Sequence, residues 1–242
     1  MSLKAVLFDF NGIIINDEMI HRQLTEEMLL AENLIIQPGE FEKVCLGRSD
    51  RSCFRSLLEN RGRLVSDEYL AKLLAQKTNN YAKMLGKVEE LPLYPGVKEL
   101  ISQINSNDLR LGLVSGALRK DIELVLKRAN LTQYFEVIVS TDDVTTSKPE
   151  PDGYLLALKL LNEKHPGLEL KPSECLVIED SPAGIKSAKN AEMQVVAVAN
   201  TYPFHMLQRQ ANWTVDYLSD LELERIKSFF EGNVESGGEE PE

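Results

Sequence analysis

The chain reads as an α/β fold, a doubly wound parallel sheet with a helical segment inserted after its first strand. Three observations carry this expectation. From Leu93 onward, short apolar runs alternate with amphipathic stretches, as buried parallel strands joined by crossover helices do. One such run stands alone at the start, roughly Leu3 to Phe8, and ends in a lone carboxylate, Asp9. Between the two, residues 16–92 place their apolar side chains near helical period and contain no strand pattern.

Taken in order, Met19, Ile20, Leu24, Met28, Leu29 and Leu30 mark a first helix of the insert. Phe54, Leu57 and Leu58, then Leu70, Leu73, Leu74 and Tyr81, mark later ones. Tyr94-Pro95-Gly96 opens a helix through about Ile104, Leu109 to Val114 is a strand, and Ala117 to Ala129 an amphipathic helix. Phe135 to Val139 is a strand and Asp152 to Leu161 a helix. Cys175 to Ile178 is a strand, Pro182 to Asn190 a helix with proline in its first turn, and Val195 to Val198 a strand. Leu218 to Phe230 is a closing helix, and residues 231–242, acidic and rich in Gly and Ser, form a disordered tail. Residues 1–15 and 93–230 thus form the core and residues 16–92 the helical insert.

Composition narrows the function. At 242 residues with 43% apolar content, the chain can bury a substantial core. Its net charge of −11 repels phosphate backbones, and no stripe of interleaved aromatic and basic residues is present, so no nucleic-acid partner is expected. No apolar run is long enough to span a bilayer, and Asp9 interrupts the N-terminal one, so a soluble cytoplasmic protein with no membrane partner is expected. Cys45, Cys53 and Cys175 show no CxxC spacing, and reduced, buried thiols are expected. Tyr202-Pro203-Phe204-His205 is read as an apolar loop on the core and Trp213 as structural.

Four polar stretches each follow an expected core strand or the loop beyond one: Asp9, Ser115-Gly116, Lys148-Pro149 and Glu179-Asp180-Ser181. In an open α/β sheet, strand C-termini rim the ligand crevice. A hydroxyl, a lysine and three carboxylates gathered there suit phosphoryl transfer. Asp9 can be nucleophile and metal ligand, Glu179 and Asp180 offer hard oxygens to Mg²⁺, and Ser115 with the following N–H groups can bind phosphate. Lys148 would offset the repulsion between an anionic nucleophile and an anionic substrate. Singly, each is also an ordinary turn, cap or surface residue.

Asp9-Phe10-Asn11-Gly12, Val114-Ser115-Gly116, the segment from Ser147 to Asp152 and the segment from Val177 to Ile185 resemble the four motifs of the haloacid dehalogenase superfamily. The last two look most like its β-phosphoglucomutase-like branch. The resemblance implies a Rossmann-like core with an α-helical cap and a Mg²⁺-dependent phosphatase or phosphomutase working through an aspartyl-phosphate. It implies a small phosphorylated metabolite as partner, such as a sugar phosphate, and a monomer or weak dimer. Catalytic roles fall to Asp9, Asn11, Ser115 and Lys148, and metal contacts to Asp9, Asn11, Glu179 and Asp180.

The first motif departs from the family. Family phosphatases carry Asp-x-Asp, the second Asp acting as general acid and base, and this chain has Asn11 there. Asn keeps the backbone carbonyl that contacts the metal in the family, but its side chain cannot hand over a proton. Turnover should therefore be slow, and any phosphoenzyme long-lived. Asn11-Gly12 is also a pair prone to deamidation. His21 stands at the spacing of a cap histidine in the mutase branch, where it either supplies the missing proton function or faces solvent. Leu46 to Arg51 resembles the cap specificity loop, where Arg48 either meets the substrate or, with Asp50, only flanks the next helix. Asn16-Asp17 departs from the usual hinge, and Glu18 reads as a helix-start charge. The alternatives to a hydrolase are a silent phosphate-ligand binder and a sugar phosphomutase. Dehalogenation, which needs no metal, sits poorly with Glu179-Asp180.

Overall fold

The computed structural model describes residues 2–232; most of the expected acidic tail lies outside the described residues. Six parallel strands form one sheet: β1 Ala5–Phe8, β2 Arg110–Val114, β3 Val137–Val139, β4 Cys175–Glu179, β5 Gln194–Val198 and β6 Trp213–Val215. Their order, β3-β2-β1-β4-β5-β6, reverses beside β1, at the crevice where doubly wound sheets bind ligands. Phe8 pairs with Leu113 on one side and Ile178 on the other, so Asp9 leaves β1 level with Val114 and Glu179, the last residues of β2 and β4, on one rim.

The β1 side chains divide by the two-residue strand period. Val6 and Phe8 join Leu111, Leu113, Leu176 and Ile178 under helices α5 Val97–Ser106 and α6 Arg119–Ala129. Ala5 and Leu7 join Val177 and Val195 under α7 Asp152–Lys164 and α8 Pro182–Asn190. Burial on both faces explains the continuous apolar runs. Full burial of each large aliphatic side chain contributes roughly 1.5–3 kcal/mol.

Four helices separate β1 from α5: α1 Glu18–Ala31, α2 Glu40–Val44, α3 Asp50–Glu59 and α4 Asp67–Leu85. Ser49 and Ser66 cap α3 and α4 by accepting from the Ser52 and Tyr69 N–H groups. Their apolar stripes meet in a separate cluster around Phe41, Phe54, Leu57, Leu70 and Leu74. The insert leaves and rejoins the core at one place. Ile15 bridges Leu93, and the Asn16 N–H donates to the Pro92 carbonyl at 2.8 Å.

Several expectations need correction. Cys45 and Cys53 are disulfide-bonded, their Cα atoms 4.6 Å apart, and Cys175 alone is a free buried thiol. The loop between α2 and α3 folds back and brings together residues whose spacing resembles no pairing motif. The edge strand β6 was missed because its three residues are half-buried and carry no apolar run. Trp213 packs edge-on against Phe229, with ring centroids 5.0 Å apart. The expected closing helix is a 3-10 turn, Leu218–Asp220, followed by α10 Leu223–Glu231. The expected loop at Tyr202 contains a short helix, α9 Phe204–Leu207. Among the described residues, no helix is long and apolar enough to cross a membrane.

Candidate active site

Beyond β1 the chain turns sharply. The Asp9 N–H donates to the Ile178 carbonyl at 2.9 Å, and the Ile14 N–H reaches back to the Phe10 carbonyl at 2.8 Å. Gly12 adopts φ +82, and a Cβ there would lie 1.8 Å from Asp180 Oδ2, so the turn and the neighbouring carboxylate both require glycine. Across β2, the buried Ser115 Oγ accepts from the Ala117 N–H at 3.0 Å, which delays the start of α6 to Arg119.

Lys148 reaches this rim from the loop between β3 and α7, where its peptide bond to Pro149 is cis. Its Nζ donates to Asp9 Oδ1 at 2.7 Å, Glu179 Oε1 at 2.6 Å and the Val114 carbonyl at 3.2 Å. Three N–H groups thus meet three acceptors. Burial opposes the ammonium charge, but Asp9 and Glu179 outweigh it and hold the pKa above the usual lysine range. Burial, together with repulsion from Glu179, pushes the Asp9 carboxyl up to about 6 against the pull of Lys148.

Glu179 and Asp180 are adjacent yet differently placed. Glu179 ends β4 pointing toward α7 and α8 and is fully buried. Its Oε1 also accepts from the Tyr154 hydroxyl at 2.8 Å, and its Oε2 from the Asp180 N–H at 3.1 Å and the Ser181 hydroxyl at 3.2 Å. Asp180 faces the cavity instead. Burial, then Asp9 and Glu179, push its carboxyl well above the ordinary range.

Oxygens of Asp9, Glu179 and Asp180 lie within 4.8 Å of one another, a group that could hold a metal ion. The donors are all hard oxygens, as Mg²⁺ prefers. Three carboxylates around one lysine leave an excess of negative charge that a divalent cation would balance, so these residues fit the ion.

The insert closes over the rim. A Cβ on Gly116 would approach Ser49 Cα to 3.2 Å, and one on Gly47 would approach Ser181 Cβ to 3.2 Å. Asp9, Asn11, Ser115, Gly116, Lys148 and Asp180 line a cavity of about 110 Å³ together with His21 and Arg48 from the insert. All the residues singled out for the site meet there except Glu179, which stands behind it. Arg48 is exposed at its edge. Glu18 and Asp50 also line the cavity, beyond the helix-flanking places expected for them.

A buried polar network backs the cavity on the insert side. Asn11 Nδ2 donates to Asp17 Oδ1 at 2.9 Å and lies 3.3 Å from His21 Nε2. Asp17 Oδ2 meets His21 Nε2 at 3.2 Å and accepts from the Tyr81 hydroxyl. Lys77 Nζ stands 2.6 Å from His21 Nδ1 and donates to Asp50 Oδ1 at 2.6 Å. His21 therefore does not face solvent. Sequence reasoning missed Lys77, Tyr81 and Tyr154. Lys77 carried a signal, being a charge three residues after Leu74 on the buried stripe of α4. Tyr81 and Tyr154 look like ordinary core aromatics in sequence.

A family model described as "Haloacid dehalogenase-like hydrolase" matches residues 6–198. Protein CbbY of Rhodobacter capsulatus is 31% identical over 224 residues, covering 90% of this chain and 95% of that protein. The putative phosphatase YhcW of Bacillus subtilis (strain 168) is 29% identical over 221 residues, covering 91% and 94%. The beta-phosphoglucomutase of the same strain is 28% identical over 232 residues, covering 95% and 96%. Among solved structures, a beta-phosphoglucomutase from Clostridium difficile superposes with a TM-score of 0.82 at 24% identity, covering 95% of this chain and 98% of that one.

Proposed function

We propose that this chain, which belongs to the haloacid dehalogenase-like hydrolase family and is a phosphatase-type hydrolase, is a Mg²⁺-dependent phosphomonoesterase of small phosphorylated metabolites, slowed by Asn11. The observation that carries the reading is the Asp9–Lys148 contact of 2.7 Å on the cavity wall, at the topological switch point and beside Asp180. A carboxylate so placed can attack phosphorus, giving an aspartyl-phosphate and releasing the alcohol.

Lys148 orients Asp9 and offsets its charge as an anionic substrate arrives. The Ser115 hydroxyl, already accepting from Ala117, has its proton free for a phosphate oxygen, and the Gly116 N–H lies beside it. Asp9, Asp180 and the Asn11 carbonyl would hold magnesium, with Glu179 supporting from behind, and the ion would supply charge neutralisation at the phosphate. The Asn11 amide can donate a hydrogen bond to the leaving oxygen but no proton. General acid–base help is worth about 10²–10⁴-fold, so alkyl esters should turn over slowly and activated esters less so.

The test is phosphate release from p-nitrophenyl phosphate with and without Mg²⁺, alongside Asp9→Asn. Magnesium-dependent release that disappears in the variant is expected, with slow decay of a phosphoenzyme trapped by rapid quench. A wild type inert toward activated esters, yet binding a phosphosugar, would instead establish a silent binding protein.

A further inference from the structure

We propose that the Cys45–Cys53 disulfide is a redox switch on the cavity: a dithiol opens it, and opening it weakens ligand binding. The switch regulates the proposed active site and so rests on the phosphomonoesterase reading.

The bond ties the C-terminal end of α2 to the start of α3 across a separation of eight residues. Cys45 and Cys53 are both cavity residues, as are Leu46, Gly47 and Arg48 between them. The same loop is where the insert meets the rim. Gly47, at φ +71, lies against Ser181, and Ser49 lies against Gly116, each beside a residue of the proposed phosphate or metal site. Among the described residues, no hydrogen bond joins residues 46–49 to the core. Within the insert, the Leu46 N–H donates to the Phe41 carbonyl at 3.1 Å and the Arg48 N–H to the Cys45 carbonyl at 3.0 Å. The disulfide is the one covalent tie across the loop.

The bond is placed to position this loop more than to hold the fold. Constraint of the unfolded chain grows with loop length, and this loop is short. Both cysteines belong to the apolar cluster of the insert, and two thiols would still fill their places there. Opening the bond releases residues 46–49 from one arrangement, and a ligand must then order them again, which lowers affinity.

Both cysteines are buried, so a reagent reaches a sulfur only when the loop lifts from the rim. A thiolate of the dithiol attacks one sulfur, the S–S bond breaks, and the other sulfur leaves as a thiolate that takes up a proton. The second thiol of the reagent then displaces the first cysteine. Two electrons pass to the protein, and the reagent becomes a cyclic disulfide. Oxidised glutathione, itself a disulfide, reverses the exchange. Cys175 takes no part, because burial pushes its thiol up to about 12.

The experiment compares protein equilibrated with oxidised glutathione and protein treated with dithiothreitol. Thiol titration in denaturant should find one thiol, Cys175, in the first and three in the second. With Mg²⁺, reduction should raise KM for p-nitrophenyl phosphate about fivefold or more and change kcat by less than about twofold. Calorimetry with p-nitrophenyl phosphate on Asp9→Asn should show the same loss of affinity. By linkage, saturating p-nitrophenyl phosphate should shift the thiol–disulfide equilibrium of that variant toward the disulfide by the same factor. Cys45→Ser combined with Cys53→Ser should match the reduced protein and ignore dithiothreitol.

Three thiols under oxidised glutathione, a bond that resists dithiothreitol in the folded protein, or equal binding in the two states each overturn the switch. So does a reduced protein that melts earlier yet keeps its KM, or one that unfolds at the assay temperature, since the bond is then only structural. If no ester turns over, the phosphomonoesterase reading fails, and calorimetry on Asp9→Asn still decides the switch, with binding absent from both states counting against it. If the double serine variant does not fold, the two wild-type states decide alone.

Discussion

Asn11 Nδ2 donates to Asp17 Oδ1 across 2.9 Å, joining the turn after β1 to the first residue before α1. Asp17 is almost wholly buried. Burial would raise its carboxyl, but His21, Tyr81 and Asn11 outweigh that and hold it below its ordinary range. Asn11 is thus a required partner of a buried anion as well as a substitution in a catalytic motif. A carboxylate at position 11 would face the carboxylate at position 17.

Restoring the family acid at position 11 should therefore succeed only in part. Asn11→Asp alone is expected to change kcat for an alkyl phosphate by less than about tenfold, because one of two facing carboxylates must take up a proton. Asn11→Asp combined with Asp17→Asn should recover about 10²-fold or more, within the range of general acid–base help. Steady-state kinetics on hexyl phosphate and p-nitrophenyl phosphate, with Asp17→Asn as control, reads the difference. Equal gains in the single and double variants would refute the coupling.

Lys148→Met should leave Asp9 and Glu179 without their shared cation. Loss of a preorganised charge at a phosphoryl-transfer site costs about 10²-fold or more in kcat. Activity above a tenth of wild type would show that Lys148 is dispensable. Thermal melts should also show a loss, since removing one partner of a buried ion pair is strongly destabilising.

Gly184→Ala offers a test at a distance from the cavity. A Cβ there would sit 1.9 Å from the Glu179 carboxylate, which in turn holds Lys148. Overpacking of this kind costs about 1–3 kcal/mol, and the displacement of Glu179 should lower kcat as well. Gly167→Ala, with nothing within 4 Å of the added carbon, should leave both unchanged. Denaturant melts and assays on the two variants check this.

Asp121, on α6 beneath the insert, should tune stability with pH. Burial first, and then repulsion from Asp50, push its carboxyl up to about 6 against the pull of Lys77, and its Oδ1 has no partner. Because the folded-state value lies above the ordinary 3.8, the buried charge costs stability above about pH 6. That cost fades as pH falls from about 6 toward 4. Asp121→Asn should therefore be more stable than wild type at pH 8, by about 1–3 kcal/mol. The gain should shrink across that window, as denaturant melts at several pH values would show. A constant difference at all pH values would exclude titration of Asp121 as its source.

Much of the architecture was legible before any coordinates. The continuous apolar runs of β1, β2, β4 and β5 state burial on both faces, and a polar residue directly after such a run must lie at the sheet rim. Asp9, Ser115 and Asp180 were therefore readable from local order alone. Lys148 was less sharply marked, since a Lys-Pro pair in the polar loop past the third strand carries no periodicity, and the motif from Ser147 to Asp152 strengthened the reading. The edge strand β6 and the split at Leu218 left no trace, because three half-buried residues make no pattern.

The insert side of the pocket shows where one-dimensional reading stops. Helical period placed Tyr81 with Leu70, Leu73 and Leu74 on one stripe of α4, but it did not single out Lys77 and could not say that α1, α3 and the turn after β1 would meet there. The Asn11–Asp17 contact, the Lys77–Asp50 pair and the Cys45–Cys53 bond each join residues whose individual environments look ordinary in the chain. Local sequence sets which residues a strand or helix buries, because that follows from backbone period. Which polar groups those faces bring against one another depends on packing between elements, and there a buried charge must find its partner in space or remain without one.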